Sequence, residues 1–406
     1  MTKIAIMGHG VVGSGVAEVI MQNHASICSR AEQDLEIKYI LDLRDFDNLP
    51  YSDKFIKDFS IIANDEEVSI VAEVMGGIEP AYTYVKTCLL NGKSVVTSNK
   101  ELVAAKGAEL LQIAREKGVN FFFEASVGGG IPIIRPLHSC LAANKITEIA
   151  GILNGTTNFI LTKMIREKMD FSSALKMAQE LGYAERNPDA DIKGHDACRK
   201  ICILASLAFG RHIYPDSVYT EGITEITLED VETAGKLGYV IKLIGRAKDE
   251  NGTVSIMVSP ALVSKESQLS GIDDVFNGIL VRGNAIGDVV FYGRGAGKLP
   301  TASAVVADII DASKATANDR SLFWSDCGND FIKPFEETTS RFMLRLKGSV
   351  DDYREIVSDN STILLGAENE FSVITLEMTE KELKNVEEQL SKKGISVLSK
   401  IRALDY

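Results

Sequence analysis

Short apolar runs alternating with amphipathic stretches dominate the first third of the chain. Lys3 to Met7, Leu35 to Leu41, Ile70 to Val74, Ser94 to Thr97 and Asn120 to Phe123 have the length and apolar character of buried strands. Between them Val11 to about Cys28, Glu79 to Asn91 and Lys100 to Lys117 carry apolar residues at helical spacing. Such an alternation predicts an α/β unit over residues 1–130: a doubly wound parallel sheet covered by helices on both faces.

From Gly130 the pattern changes. Strand-like KITEIAGIL at 145–153 precedes helices after Thr156, after Phe171 and from about Ile192. Further strands fall between Tyr239 and Val258 and between Ile279 and Phe291, so residues 131–317 read as a mixed α/β substrate-binding domain. The helix over about 301–315 has an apolar face suited to completing the first domain. Residues 318–339 are polar and read as a linker. In 340–406 the strand-like RFMLRLKG, STILLGAE, FSVITLEM and ISVLSKIRAL are interleaved with helical DDYREIVS and EKELKNVEEQLSKKG, giving the order βαββαβ of a small ferredoxin-like domain.

Composition narrows the class. With 406 residues, 45% apolar and 25% charged, the chain has material for two or three globular domains. No apolar run is long enough to cross a bilayer, so no membrane association is expected. MTKIAIMGHG lacks the basic region and cleavage site of a secretory leader, and a cytoplasmic protein is expected. The net charge of −13, with no basic tract, argues against nucleic acid as a partner. Cys28, Cys88, Cys140, Cys198, Cys202 and Cys327 show no CxxC spacing; they read as buried thiols, not as disulfides or zinc ligands.

Gly8-His9-Gly10-Val11-Val12-Gly13 stands between the first strand and the first helix, where GxGxxG has a mechanism. Gly8 permits the tight turn, Gly10 lets backbone approach a pyrophosphate, Gly13 allows close helix packing, and the helix N-terminus receives the anion. The first unit is therefore read as Rossmann-type, with His9 a loop residue near the pyrophosphate. After the second strand Asp42 can hold the adenosine ribose of NAD, and Arg44 can instead neutralise the 2′-phosphate of NADP; both cofactors remain open.

Four further segments carry candidate chemistry. Thr97 closes a strand and Lys100 opens the next helix, at the sheet edge where ligands gather, although a cation is electrostatically disfavoured there. Glu124, Val127, Gly129 and Ile131 lie in an acidic glycine loop that offers oxygens to a hard cation and reads equally as an interdomain hinge. Gly295 and Gly297, before the helix from Thr301, suit a phosphate or nicotinamide contact or a plain crossing loop. The densest segment is GYAERNPDADIKGHDACRK at 182–200: Glu185, Asp189 and Asp191 in a loop, then Asp196 and Lys200 four residues apart on one helix face. The apolar ICILASLAFG that follows buries this helix, so its charged turns are expected in a cleft.

Together GHGVVG, TSNKELVA (97–104), EASVGGGIPII (124–134), GILNGTTNFI (151–160), GYAERNPDADIKGHDACRK and GRGAGKLPTASAVVADI (293–309) resemble the homoserine dehydrogenase family over roughly residues 1–315. The resemblance implies reversible NAD(P)H-dependent reduction of L-aspartate 4-semialdehyde to L-homoserine, in threonine, methionine and isoleucine biosynthesis. Lys200 would be the proton donor, Asp196 its orienting partner and Lys100 a second cation near the reacting oxygen. Glu185, helped by Asp191, would hold the substrate ammonium. A sodium-type cation would sit on Glu124, Val127, Gly129 and Ile131, and the subunits would form a homodimer or homotetramer. The tail resembles the amino-acid-binding ACT domain, but Lys347-Gly348-Ser349 replaces its customary Pro-Gly turn, so threonine feedback does not follow. An oxidoreductase for another amino-acid aldehyde or ketone, and a non-enzymatic sensor, are the competing classes. An acylating semialdehyde dehydrogenase would need a cysteine nucleophile in an active-site motif, and none is present.

Overall fold

Every residue from Ile4 to Met7 is apolar and fully buried, which places β1 (Thr2–Met7) in the middle of a parallel sheet. In the computed structural model, which describes residues 1–315, 322–357, 362–366 and 369–404, the chain continues through α1 (Val11–Gln22), α2 (His24–Ala31), β2 (Leu35–Leu41), β3 (Phe55–Ile56), α3 (Phe59–Asn64), β4 (Val68–Glu73), α4 (Ala81–Leu90), β5 (Ser94–Thr97), α5 (Lys100–Lys117) and β6 (Phe121–Phe122). The strand order β3-β2-β1-β4-β5-β6 is that of a dinucleotide-binding fold, with its switch point between β1 and β4. The helix expected from Val11 to Cys28 is two helices, broken at Asn23, whose φ of −107° and ψ of 17° leave the helical region.

The second unit contains β7 (Ile146–Ile152), α6 (Gly155–Glu167), α7 (Phe171–Glu180), α8 (Asp189–Ile192), α9 (His195–Phe209), β8 (Tyr219–Thr220), α10 (Leu228–Lys236), β9 (Tyr239–Glu250), β10 (Thr253–Ser264), β11 (Phe276–Gly283) and β12 (Gly287–Arg294). β9 and β10 pair along their whole length around Asn251 and Gly252, both at positive φ, as a two-residue hairpin demands. Next α11 (Lys298–Lys314) starts three residues earlier than expected and returns to the first sheet. Its Ala302, Val305 and Ile309 share a core with Ile4, Val16 and Ala17. Gly15 makes the approach possible, since a Cβ there would lie 2.9 Å from the Lys298 carbonyl and 3.0 Å from Ala302 Cβ.

The segment expected to be a linker is anchored. Trp324 is 1% exposed, its indole Nε1 donates to His212 Nδ1 at 2.8 Å, and its ring fills the space beside Gly107. Residues 318–321 of that segment lie outside the described residues, as do 361 and 367–368 of the expected strand STILLGAE.

The tail comprises β13 (Thr339–Lys347), α12 (Val350–Ile356), β14 (Thr362–Leu365), β15 (Glu370–Ile374), the short β16 (Met378–Thr379), α13 (Glu380–Lys392) and β17 (Ser396–Leu404). Its strand order β17-β13-β15-β14 is ferredoxin-like, but it does not stand apart. β17 pairs in parallel with β10, Leu262 opposite Ala403, so one eleven-stranded sheet crosses the boundary expected near 340. Arg402 rivets the junction: it is 3% exposed, donates to Glu380 at 2.7 Å and to Glu221 at 2.8 Å, and lies over the Tyr219 and Phe335 rings. The expectation that all six cysteines are buried is also corrected: Cys140 and Cys327 are exposed and Cys28 is half-buried. Among the described residues no helix is long and apolar enough to cross a membrane.

Candidate active site

The glycine turn follows β1. Gly8 has a φ of +98°, and a Cβ on Gly13 would lie 2.0 Å from the Gly8 carbonyl, so both positions require glycine. A Cβ on Gly10 would meet nothing within 4 Å; this glycine leaves open space. No side chain caps α1 at Gly10, and the first amides, from Val11 and Val12 onward, stay available to an anion. His9 is turned away from that space into a cage of Phe46, Tyr51 and Phe55. Its burial pushes the imidazole pKa down, against the pull of Asp42.

At the end of β2 the Asp42 carboxylate accepts from the His9 amide at 2.7 Å and takes a two-pronged contact from Arg44, 3.0 Å from Nε and 2.9 Å from Nη2. The Arg44 hydrogen bond, reinforced by amides, outweighs desolvation and holds the Asp42 pKa well below the usual carboxylate range. Arg44 itself is largely exposed and stacks over Phe46.

The chemistry collects where the two units meet. Asn99 caps α5 through the Leu102 amide and thereby fixes the position of Lys100. The Lys100 ammonium lies 2.6 Å from Asp196 Oδ1. From the other side Lys200 donates to Asp196 Oδ2 at 2.7 Å and to the Leu153 carbonyl at 2.8 Å. Asp196 and Lys200 are both buried, one turn apart on α9. That helix begins at His195, not near Ile192, because Gly194 adopts a left-handed φ of +84° and separates it from α8. Asp189 and Asp191 therefore belong to a short helix, not to a loop.

Asn154 ties the cluster together. Its Oδ1 caps α6 by accepting from Thr157, while its Nδ2 donates to Asp191 Oδ1 at 2.7 Å and Asp196 Oδ2 at 2.8 Å. In sequence this residue appears only within GILNGTTNFI, with no role of its own. Burial pushes the Lys200 pKa down, and Lys100 adds to that, against the Asp196 charge. For Lys100 burial is outweighed by Asp196, and the pKa is raised. Asp196, buried yet flanked by two ammonium groups, is held well below the usual range. Asp191 is raised, by burial and by repulsion from Asp196. Glu185 is exposed in the turn between α7 and α8, and among the described residues no side-chain hydrogen bond or ion pair ties its carboxylate down.

Glu73, which the sequence pattern hides inside a strand, braces the sheet edge beneath Lys100. It is fully buried and accepts from Thr97 Oγ1 at 2.5 Å and from the Met75 amide at 2.8 Å. Burial raises its pKa in spite of these donors. The two remaining glycine loops form one seam, with the Gly130 amide donating to the Arg294 carbonyl and a Gly129 Cβ excluded by the Gly295 carbonyl at 2.5 Å. Gly297, at φ +127°, starts α11 beside α1. The Glu124 carboxylate is occupied by the amides of Ile133, Ile134 and Arg135 at 2.6 to 2.9 Å. These amides fix the carboxylate in the loop that also carries the carbonyls of Val127, Gly129 and Ile131, and Oε2 accepts one of the three bonds.

A dinucleotide fold whose sheet edge abuts a lysine-aspartate-lysine cluster, with Asp196 and Lys200 buried, defines a nicotinamide-dependent oxidoreductase. Family models place the chain further: residues 8–124 match the homoserine dehydrogenase NAD-binding domain and residues 132–310 match homoserine dehydrogenase. Homoserine dehydrogenases of Bacillus subtilis and Helicobacter pylori are each 40% identical, aligning over 82% of this chain and 76% of the first protein, and over 91% and 86% for the second. The crystal structure of a homoserine dehydrogenase from Thiobacillus denitrificans superposes with a TM-score of 0.93 at 35% identity, covering 100% of this chain and 98% of that one. The chain belongs to the homoserine dehydrogenase family.

Proposed function

We propose that the protein interconverts L-aspartate 4-semialdehyde and L-homoserine with NAD(P)H, within threonine, methionine and isoleucine biosynthesis. The observation that carries this reading is the Lys200 ammonium, buried and aimed by Asp196 and the Leu153 carbonyl, with Lys100 across the same carboxylate. When bound, the nicotinamide cofactor supplies or accepts the hydride. The open face of Gly10 and the uncapped start of α1 fit its pyrophosphate, and Asp42 with Arg44 fits its adenosine ribose. In reduction the aldehyde oxygen gains the C=O electron pair, and Lys200 Nζ gives it a proton; in oxidation the neutral amine takes that proton back. A lowered Lys200 pKa eases both directions. Lys100 faces the developing negative charge, and Asp196 holds both cations in place.

Asp191, with Glu185 from the neighbouring turn, is the anchor for the substrate ammonium. A monovalent cation of the sodium type suits Glu124 with the Val127, Gly129 and Ile131 carbonyls and plays a structural part, the Glu124 carboxylate being positioned by the Ile133, Ile134 and Arg135 amides. The tail is read as an ACT-like module that supports a homodimer or homotetramer. Arg44 favours NADP, and a structural relative of archaeal origin, 30% identical with a TM-score of 0.66, is described as a mutant in complex with NADPH. The decisive experiment replaces Lys200 with Met. Homoserine oxidation should fall by roughly 10²–10⁴-fold, the range for losing a general acid-base group, while cofactor binding stays near wild type. Unchanged turnover removes Lys200 from the mechanism.

A further inference from the structure

A second group of chemically competent side chains lies away from the cluster just described, where α2 turns back into β2. His24 opens α2 and Cys28 follows one turn later, so both point from one helical face. Glu32, at a left-handed φ of 57°, ends the helix and sends Asp34 back toward them. His24 Nε2 lies 3.5 Å from Cys28 Sγ and 3.3 Å from Asp34 Oδ1, and Cys28 Sγ is 3.3 Å from the same Oδ1. A sulfur, a nitrogen and an oxygen donor thus form a nearly equilateral triangle; Cys28 Sγ is also 3.8 Å from His24 Nδ1, so the exposed imidazole must turn about its Cβ–Cγ bond for the Nε2 lone pair to face the centre.

The size of that triangle matters. Zinc binds thiolate sulfur at about 2.3 Å and imidazole nitrogen or carboxylate oxygen at about 2.0–2.2 Å in tetrahedral sites, and the edges of such a tetrahedron are roughly 3.4–3.6 Å. The three observed separations fall within about 0.3 Å of those edges. The carboxylate end of the site is held in place by its neighbours: the Asp34 carbonyl accepts from the Thr2 amide at 2.8 Å, and Gln33 spans from Thr2 to the Ser313 carbonyl. The Leu35 carbonyl lies 3.3 Å from His24 Nε2, a further oxygen at the border of the cluster.

We propose that His24, Cys28 and Asp34 form a binding site for one divalent transition-metal ion of the zinc class. Three protein ligands occupy three tetrahedral positions, and water takes the fourth. Binding releases the Cys28 proton, since the thiolate is the ligand. The mixed sulfur, nitrogen and oxygen set selects a borderline-soft ion, unlike the all-oxygen loop at Val127 to Ile131, which suits a hard one. The site has no part in hydride or proton transfer.

Cobalt(II) titration of the full chain tests the assignment, because tetrahedral Co2+ with a thiolate ligand shows both visible d–d bands and a sulfur-to-metal charge-transfer band. One equivalent should bind with that signature, and zinc should displace it. Cys28→Ser should abolish the charge-transfer band with the other five cysteines intact, and His24→Gln or Asp34→Asn should weaken binding at least about tenfold. Circular dichroism of each variant checks that it is folded, and homoserine oxidation by the metal-free variants should match the metal-free parent. A charge-transfer band that survives in folded Cys28→Ser, or the absence of a tetrahedral cobalt spectrum in the parent, overturns the proposal.

Discussion

Lys100 reaches Asp196 across the boundary between the two units: an ammonium fixed by the start of α5 sits 2.6 Å from a carboxylate carried by α9. The pair is therefore a gauge of how the dinucleotide half is docked on the substrate half. It also places a second cation against the carboxylate that orients Lys200.

The first prediction concerns that carboxylate. Asp196→Asn leaves Lys100 and Lys200 facing each other with only the Asp191 carboxylate as counter-charge, and the main charge that opposed the downward shift of the Lys200 pKa is gone. Reduction needs Lys200 protonated, so the alkaline limb of its pH profile should move to lower pH. Oxidation needs the neutral amine, so its acid limb should move the same way. A kcat reduced about 100-fold is expected in both directions, in the range of removing one preorganised electrostatic partner. Limbs that stay where they were would show that Asp196 does not set the Lys200 proton affinity.

Asn154 performs two tasks that mutation can separate. Asn154→Ala loses the α6 cap and the bridge between Asp191 and Asp196, so stability should fall by about 1 kcal/mol along with activity. Asn154→Ser retains a capping oxygen but lacks the two-pronged amide reach. Denaturant titration should return most of the stability in the serine variant, while its KM for homoserine remains raised. Full recovery of KM would assign Asn154 to the helix alone.

Much of the fold was legible because its signals are local. The strand over Leu35–Leu41 and the helix over Lys100–Lys117 fall where apolar spacing puts them, and GxGxxG works through backbone geometry that any sequence reader can see. The misses need tertiary information. Trp324 looked like part of a polar linker, since nothing near it in sequence reveals that Gly107 leaves its ring a place. The pairing of β17 with β10 joins strands more than a hundred residues apart. Asn154 and Glu73 were hidden for a related reason: a cap and a strand residue give no sign, in sequence, of which carboxylate or hydroxyl they will meet.

Two glycines of the cofactor turn should respond in opposite ways. Gly13→Ala drives a methyl into the Gly8 carbonyl and should lower stability, with loss of cofactor binding as a consequence. Gly10→Ala has open space and should leave the melting temperature within a degree or two, while raising the KM for NAD(P) because the methyl occupies the pyrophosphate approach. If Gly10→Ala binds cofactor normally, the pyrophosphate does not lie over that residue.

Arg44 should govern the choice of cofactor. Arg44→Ala removes the cation available to a 2′-phosphate and frees Asp42 to accept from a ribose hydroxyl. Parallel assays should show the KM for NADP rising about tenfold or more, a loss of roughly 1.4 kcal/mol or greater, with NAD unchanged or improved. An equal effect on both cofactors would place Arg44 outside the ribose site.

The final prediction tests how firmly the tail is joined to the enzyme body. Arg402 is nearly fully buried, and replacing it with Leu leaves the Glu380 carboxylate inside the protein without its partner. Breaking a buried pair from one side destabilises by about 3–5 kcal/mol, whereas replacing both members by neutral groups is far milder. Arg402→Leu should therefore be strongly destabilised, and Arg402→Leu combined with Glu380→Gln should recover a large part of the loss. Glu221, which also holds Arg402, lies directly before Gly222, whose backbone packs against Ile192 and Lys193 in the turn leading to Asp196. Arg402→Leu should therefore raise the KM for homoserine as well as lower the melting temperature, and the double variant, in which Glu221 still lacks Arg402, should recover stability while its KM stays raised. A KM that recovers together with stability would show that Glu221 does not link the tail junction to the substrate turn.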